Sequence, residues 1–180
     1  MYVALLRAVN VGGNSISMSD VRDTFASLGC SDVRTYLQSG NIVFSAARTA
    51  SGVRTRSLEK KFEQGLLRDF GRDITVLVRS ANELAAVAGG NPFQDRTDDP
   101  TKLHVTFLAE RPSVNKKDEF STGKIDEDEF RLEGSEVYLF CPNGYGRSKL
   151  VNSFFEKKLG VQSTTRNWKS VKKLTEMLTT

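Results

Sequence analysis

The chain has 180 residues, 38% of them apolar and 27% charged, with a formal net charge of +4. That balance suits a globular protein burying roughly 70% of its unfolded surface, and it excludes a disordered chain. No apolar run reaches the roughly 20 residues of a membrane helix, and Tyr2–Leu6 is shorter than a signal-peptide core, so a cytoplasmic protein without a membrane partner is expected.

In chain order, Tyr2–Arg7 reads as a buried strand. Ser17-Met-Ser-Asp20 resembles a capping box, after which Met18, Val21, Phe25 and Leu28 share one helical face until Gly29 ends it. Val33–Gln38 and Asn41–Ser45 flank Ser39-Gly40 as a hairpin with a two-residue connection. Leu58, Phe62, Leu66 and Phe70 form a second helical stripe closed by Gly71, and Ile74–Val78 is an apolar strand. Residues 1–80 thus spell β-α-β-β-α-β, the ferredoxin-like order.

A short helix starts at Ser80, with Glu83 completing a capping box. Asn91-Pro-Phe93 and Asp98-Asp-Pro100 mark loops. Leu103–Leu108 is a strand, Ser113–Ser121 a helix, and Glu129–Leu132 with Glu136–Cys141 a hairpin around Gly134. Ser148–Leu159 is a helix with Val151, Phe154 and Phe155 on its apolar face, stopped by Gly160. Thr164–Asn167 is extended, and Trp168–Leu178 is a closing helix. Apart from the helix after Ser80, this half repeats the same order. The expected fold is α+β: two ferredoxin-like (β-α-β-β-α-β) subdomains, residues 1–80 and 81–180, the second with a C-terminal helix.

Four segments resemble a bacterial family, the domain of unknown function 1697: residues 1–14, Tyr36–Phe44, Asn91-Pro-Phe93 and Thr164–Leu174. The resemblance covers essentially the whole chain and implies two ferredoxin-like subdomains. It carries no catalytic residue, because the family has no established activity. Ala8 stands where the family usually shows glycine.

A β-α-β-β-α-β sheet has the spatial order 4-1-3-2, so the segment after strand one and the turn after strand two share a rim. That rim carries Arg7, Asn10, Gly12, Gly13 and Asn14 together with Gln38, Ser39 and Asn41. The two glycines allow backbone N–H groups to face a ligand, and the amides add donors and acceptors. The same residue types are also what turns require.

Residues 144–180 hold eight Lys/Arg against two Glu, a net of +6, whereas residues 91–143 hold seven basic and twelve acidic residues, a net of −5. Gly144-Tyr-Gly-Arg-Ser-Lys149 leads toward a helix start, where N–H groups and the helix dipole favour an anion. Arg147 and Lys149 supply charge, and Ser148 is placed to cap or to donate to a phosphate. Tyr145 is placed to stack on a base or to pack. Arg166-Asn-Trp-Lys169 is a second helix start, with Asn167 as N-cap, Trp168 in the core, and Arg166 and Lys169 as cations.

Other groups promise less chemistry. His104 sits in a strand pattern as a structural histidine, and Asp126-Glu-Asp-Glu129 reads as a solvated acidic turn. Cys30 and Cys141 lack metal or redox spacing, so no metal or cofactor is expected. The leading expectation is a binding module for a phosphate-bearing ligand, with a nucleotide or nucleic acid as partner. Two alternatives are an enzyme that orients its substrate with the polar rim, and a protein-interaction domain pairing acidic and basic segments.

Overall fold

In the computed structural model, which describes residues 1–9, 15–46 and 55–179, helices and antiparallel sheets combine into an α+β fold. Two units divide the chain: Met1–Ala85 with Leu174–Thr180, and Ala86–Lys173.

The first unit contains β1 (Tyr2–Leu6), α1 (Met18–Ser27), β2 (Ser31–Tyr36), β3 (Asn41–Ser45), α2 (Thr55–Phe70) and β4 (Val76–Ser80). Its strands lie in the order β2-β3-β1-β4, every neighbouring pair antiparallel, as the 4-1-3-2 expectation requires. Because strand side chains alternate, Ala4, Leu6, Ile42, Phe44, Val76 and Val78 share a face. They pack there against Val21 and Phe25 of α1 and Phe62 and Leu66 of α2. Phe25 stacks on Phe62 at 4.1 Å, and Phe44 meets Phe62 edge-on at 5.1 Å.

Local signals explain the ends of these elements. Gly29, with φ +83°, donates its N–H to the carbonyl of Ala26, and the N–H of Cys30 reaches that of Phe25, closing α1 in a Schellman arrangement. The expected box at Ser17 does not form, because the Ser17 hydroxyl bonds Ser19 instead of a helix N–H. The connection between β2 and β3 is also longer than predicted. Tyr36 pairs with Asn41, leaving the four residues Leu37–Gly40 in the turn, and Leu37 and Gly40 adopt positive φ.

The α3 helix (Ala81–Gly89) opens with the predicted reciprocal box: the Ser80 N–H donates to Glu83 Oε2 at 2.7 Å, and the Glu83 N–H to Ser80 Oγ at 3.3 Å. Then follow β5 (Leu103–Leu108), α4 (Val114–Glu119), β6 (Thr122–Ile125), β7 (Asp128–Glu133) and β8 (Glu136–Phe140). Next come α5 (Asn152–Leu159), β9 (Ser163–Asn167) and α6 (Trp168–Thr179). The second sheet runs β6-β7-β8-β5-β9. Without β6 this repeats the first sheet's order; β6 is an added edge strand that the sequence pattern does not predict.

The helix expected from Ser148 begins only at Asn152. Tyr145–Arg147 form a short 3-10 turn instead, and Ser148 and Val151 are extended. In α6 the apolar stripe behaves as predicted: Trp168, Val171, Leu174 and Leu178 are buried, while Lys169, Lys172 and Lys173 are exposed. Among the described residues no helix is long and apolar enough to cross a membrane.

Candidate functional site

The strand order of the first unit brings the ends of β1 and β2 and the starts of β3 and β4 to one edge. Leu5 pairs with Asn41, and Leu6 with Val76. Beyond the strands, the Leu6 N–H donates to the Gly40 carbonyl at 2.8 Å and the Arg7 N–H to the Thr75 carbonyl at 2.9 Å. The segment leaving β1 therefore meets the β2–β3 turn through described residues. A Cβ on Gly40 would lie 2.8 Å from Leu6 Cβ and 3.1 Å from Val9 Cγ1, and its φ of +71° favours glycine as well.

Asn41 is fully buried, and its Nδ2 donates to the Tyr36 carbonyl at 3.0 Å and to Ser39 Oγ at 2.8 Å. Its amide thus holds the turn together. Gln38 and Ser39 are exposed on that turn. Asn10, Gly12, Gly13 and Asn14 lie outside the described residues.

Along the same edge, Arg7, Ala8 and Val9 face residues 72–75 across a recess of about 290 Å³. Arg7, Arg72 and Asp73 are its charged lining residues, and the buried Val9 and Ile74 its apolar ones. Ala8 holds φ +54°, a left-handed conformation that costs a non-glycine residue about 1–2 kcal/mol. Arg72 and Asp73 were absent from the sequence expectation. The signal was available in the topology, since β4 is the other neighbour of β1 and the segment before it must reach the same edge.

Several candidate residues of the second unit have partners within it. The Tyr145 ring stacks on His104 with centroids 4.6 Å apart, and burial raises its hydroxyl pKa while a hydrogen bond with Thr165 opposes the rise. Burial pulls His104 down to about 4, so the ring is neutral at pH 7. Its Nε2 lies 3.4 Å from Asn167 Nδ2. Ser148 Oγ accepts the N–H of Leu150 at 3.0 Å.

Lys149 Nζ lies 2.9 Å from Asp126, so a local acid, rather than a bound anion, answers its charge. Glu127 and Glu129 of that acidic turn are partnered too: Asn143 donates to Glu127, and Arg96 makes two bonds to Glu129 at 3.0 and 3.2 Å. Arg166 is buried, and its Nη1 donates to Thr164 Oγ1 at 2.8 Å and to the Thr165 carbonyl at 2.9 Å. Burial lowers its pKa to about 10, which leaves it charged at neutral pH. Asn167 Oδ1 accepts the Lys169 N–H at 2.9 Å, the N-cap predicted for α6. Arg147 and Lys169 are exposed. The polar edge belongs to the first unit and Tyr145–Lys169 to the second. Among the described residues no group of three or more His, Cys, Asp and Glu could hold a metal ion.

No protein of curated function matches the chain. Among solved structures, the conserved bacterial protein SP0830 from Streptococcus pneumoniae is similar over 99% of this chain and 98% of its own. The TM-score is 0.75 at 20% identity, a likeness of fold. The motifs at the β1 end, the β2–β3 turn and Asn91-Pro-Phe93 all fall within residues 1–138, the stretch matched by the family model described as "Protein of unknown function (DUF1697)", and the chain belongs to that family.

Proposed function

We propose that this protein is a binding module for a phosphate-bearing ligand, a nucleotide or a nucleic acid, held at the arginine-lined edge of the first unit. The observation that carries the reading is the convergence of Arg7 and Arg72 on one recess. Guanidinium groups present several N–H donors in a planar fork that matches phosphate oxygens, and they stay charged at any physiological pH. Strained backbone, as at Ala8, is concentrated in proteins at ligand clamps and switch regions.

The test is a thermal-melting screen of the full chain against nucleotides and short DNA and RNA at two salt concentrations. A nucleotide should stabilise saturably, by about 2.7 kcal/mol at a hundred times its dissociation constant. A nucleic acid should instead show affinity falling steeply with salt, with a log–log slope of about −0.9 per duplex phosphate neutralised. Arg72→Gln should abolish the shift in a variant that still melts in one cooperative transition. A screen in which no phosphate compound shifts the melt contradicts the proposal.

A further inference from the structure

We propose that the recess between the β1 exit and the β4 approach holds the sugar-phosphate end of a mononucleotide, its base left outside, and selects it over a nucleic acid. This inference rests on the phosphate-binding reading above and goes further, to the class of ligand. Three features of the recess carry it.

The first is size. At about 290 Å³ the recess lies just below the range of small-molecule pockets, roughly 300 to 1,000 Å³. A phosphorylated sugar matches that space, and a nucleotide would have to leave its base outside it. The second is mixed charge. Arg7 and Arg72 favour a phosphoryl group, but Asp73 lines the same recess. An ionised carboxylate only accepts hydrogen bonds, so it repels a phosphate and suits a hydroxyl. A polynucleotide backbone would present phosphates to all three side chains, and Asp73 would oppose it. A ligand with a phosphoryl at one end and hydroxyls at the other satisfies both kinds of group.

The third feature is rigidity. The 2.9 Å bond from the Arg7 N–H to the Thr75 carbonyl fixes the spacing of the two segments through their backbones. The buried side chains of Val9 and Ile74 back the recess with apolar surface, which strengthens nearby charge-assisted bonds by displacing water.

Isothermal titration of the full chain separates the possibilities, using ribose 5-phosphate, inorganic phosphate, free ribose and a short single-stranded DNA. Ribose 5-phosphate should bind at least about tenfold more tightly than inorganic phosphate, and free ribose should not bind measurably. Asp73 is exposed, so Asp73→Asn should fold normally. That variant should lose the preference for ribose 5-phosphate while binding inorganic phosphate at least as tightly. Arg72→Gln should weaken both ligands at least about tenfold. If Arg72→Gln fails to fold, the Asp73→Asn comparison decides alone.

Single-stranded DNA binding more tightly than ribose 5-phosphate, with that binding lost in Arg72→Gln, would overturn this inference and leave the phosphate-binding reading standing. A preference for ribose 5-phosphate that survives Asp73→Asn would also overturn it. Absence of binding by every phosphate compound would remove both.

Discussion

Ala8 and Gly40 shape the polar edge through their backbones, and they do so in opposite senses. Ala8 occupies a left-handed conformation that glycine adopts without strain. Ala8→Gly should therefore stabilise the protein by about 0.5–1 kcal/mol, the relief of strain exceeding the entropy that glycine adds to the unfolded chain. Gly40→Ala meets both a positive φ and close contact with Leu6 and Val9, and should cost about 2 kcal/mol or more. Urea denaturation measures both. The sequence flagged Ala8 only as a departure from a resembled family; its strain is a property of φ, which no single residue type announces.

His104 gives a separate residue-scale test. Its pKa is about 4 folded against 6.5 unfolded, so between those values the unfolded chain takes up a proton that the folded chain refuses. Stability should accordingly fall by about 3 kcal/mol as pH drops from 6.5 toward 4, with no contribution from this group above 6.5. His104→Phe, which keeps a ring against Tyr145, should lose that acid dependence. An identical acid loss in the variant would place its origin elsewhere. The structural role of His104 was legible from its strand alternation, but the depth of its burial was not, because that depends on Tyr145 packing from 41 residues away.

At the scale of elements, α2 completes the hydrogen bonding of β4, the outer strand of the first sheet. Glu63 Oε1 accepts the Val76 N–H at 3.0 Å, and Glu59 Oε1 accepts the Val78 N–H at 2.8 Å. Four residues of helix rise about 6 Å and two residues of strand about 6.6 Å, so carboxylates at i and i+4 match alternate edge N–H groups. Covering the edge in this way opposes strand addition by another chain. Burial raises the Glu59 pKa, while the bond from Val78 opposes the rise. Glu59→Gln keeps an oxygen acceptor and should be nearly neutral, whereas Glu59→Leu leaves the Val78 N–H unsatisfied and should cost about 1–3 kcal/mol. Equal losses in the two variants would contradict this role for the carboxylate.

Elements set by local chemistry were readable from sequence: the Gly29 stop, the Ser80–Glu83 box and the α6 stripe each depend on neighbours within a turn or two. Two features were not. Thr122–Ile125 forms an edge strand with alternating exposed and half-buried residues, so it needs no apolar alternation to announce it. Ser148 has the composition of a helix cap, but its hydroxyl turns to the N–H of Leu150 two residues on, a local bond that competes with helix initiation.

Across the whole molecule, the contrast between an acidic middle and a basic C-terminal segment is partly closed inside the second unit. Lys149 of the basic segment meets Asp126 of the acidic one, while Arg96 and Glu129 pair within the acidic segment itself. Sequence supplies the net charge of a segment but not its partners, which is why the pairing of Lys149 with Asp126 was not legible there. Lys149 and Asp126 are both exposed, and pairs of that kind contribute little. Lys149→Ala should thus leave melting and ligand binding nearly unchanged, whereas Arg72→Gln should lose ligand binding.

The most direct measurement is an amide chemical-shift titration of the full chain with inorganic phosphate, the group common to nucleotides, nucleic acids and sugar phosphates. Phosphate bound at the arginine recess should give saturable shifts centred on Arg7–Val9 and residues 72–75. Shifts confined to residues 144–149 and 166–169, or no saturable shift at the recess, would contradict binding there.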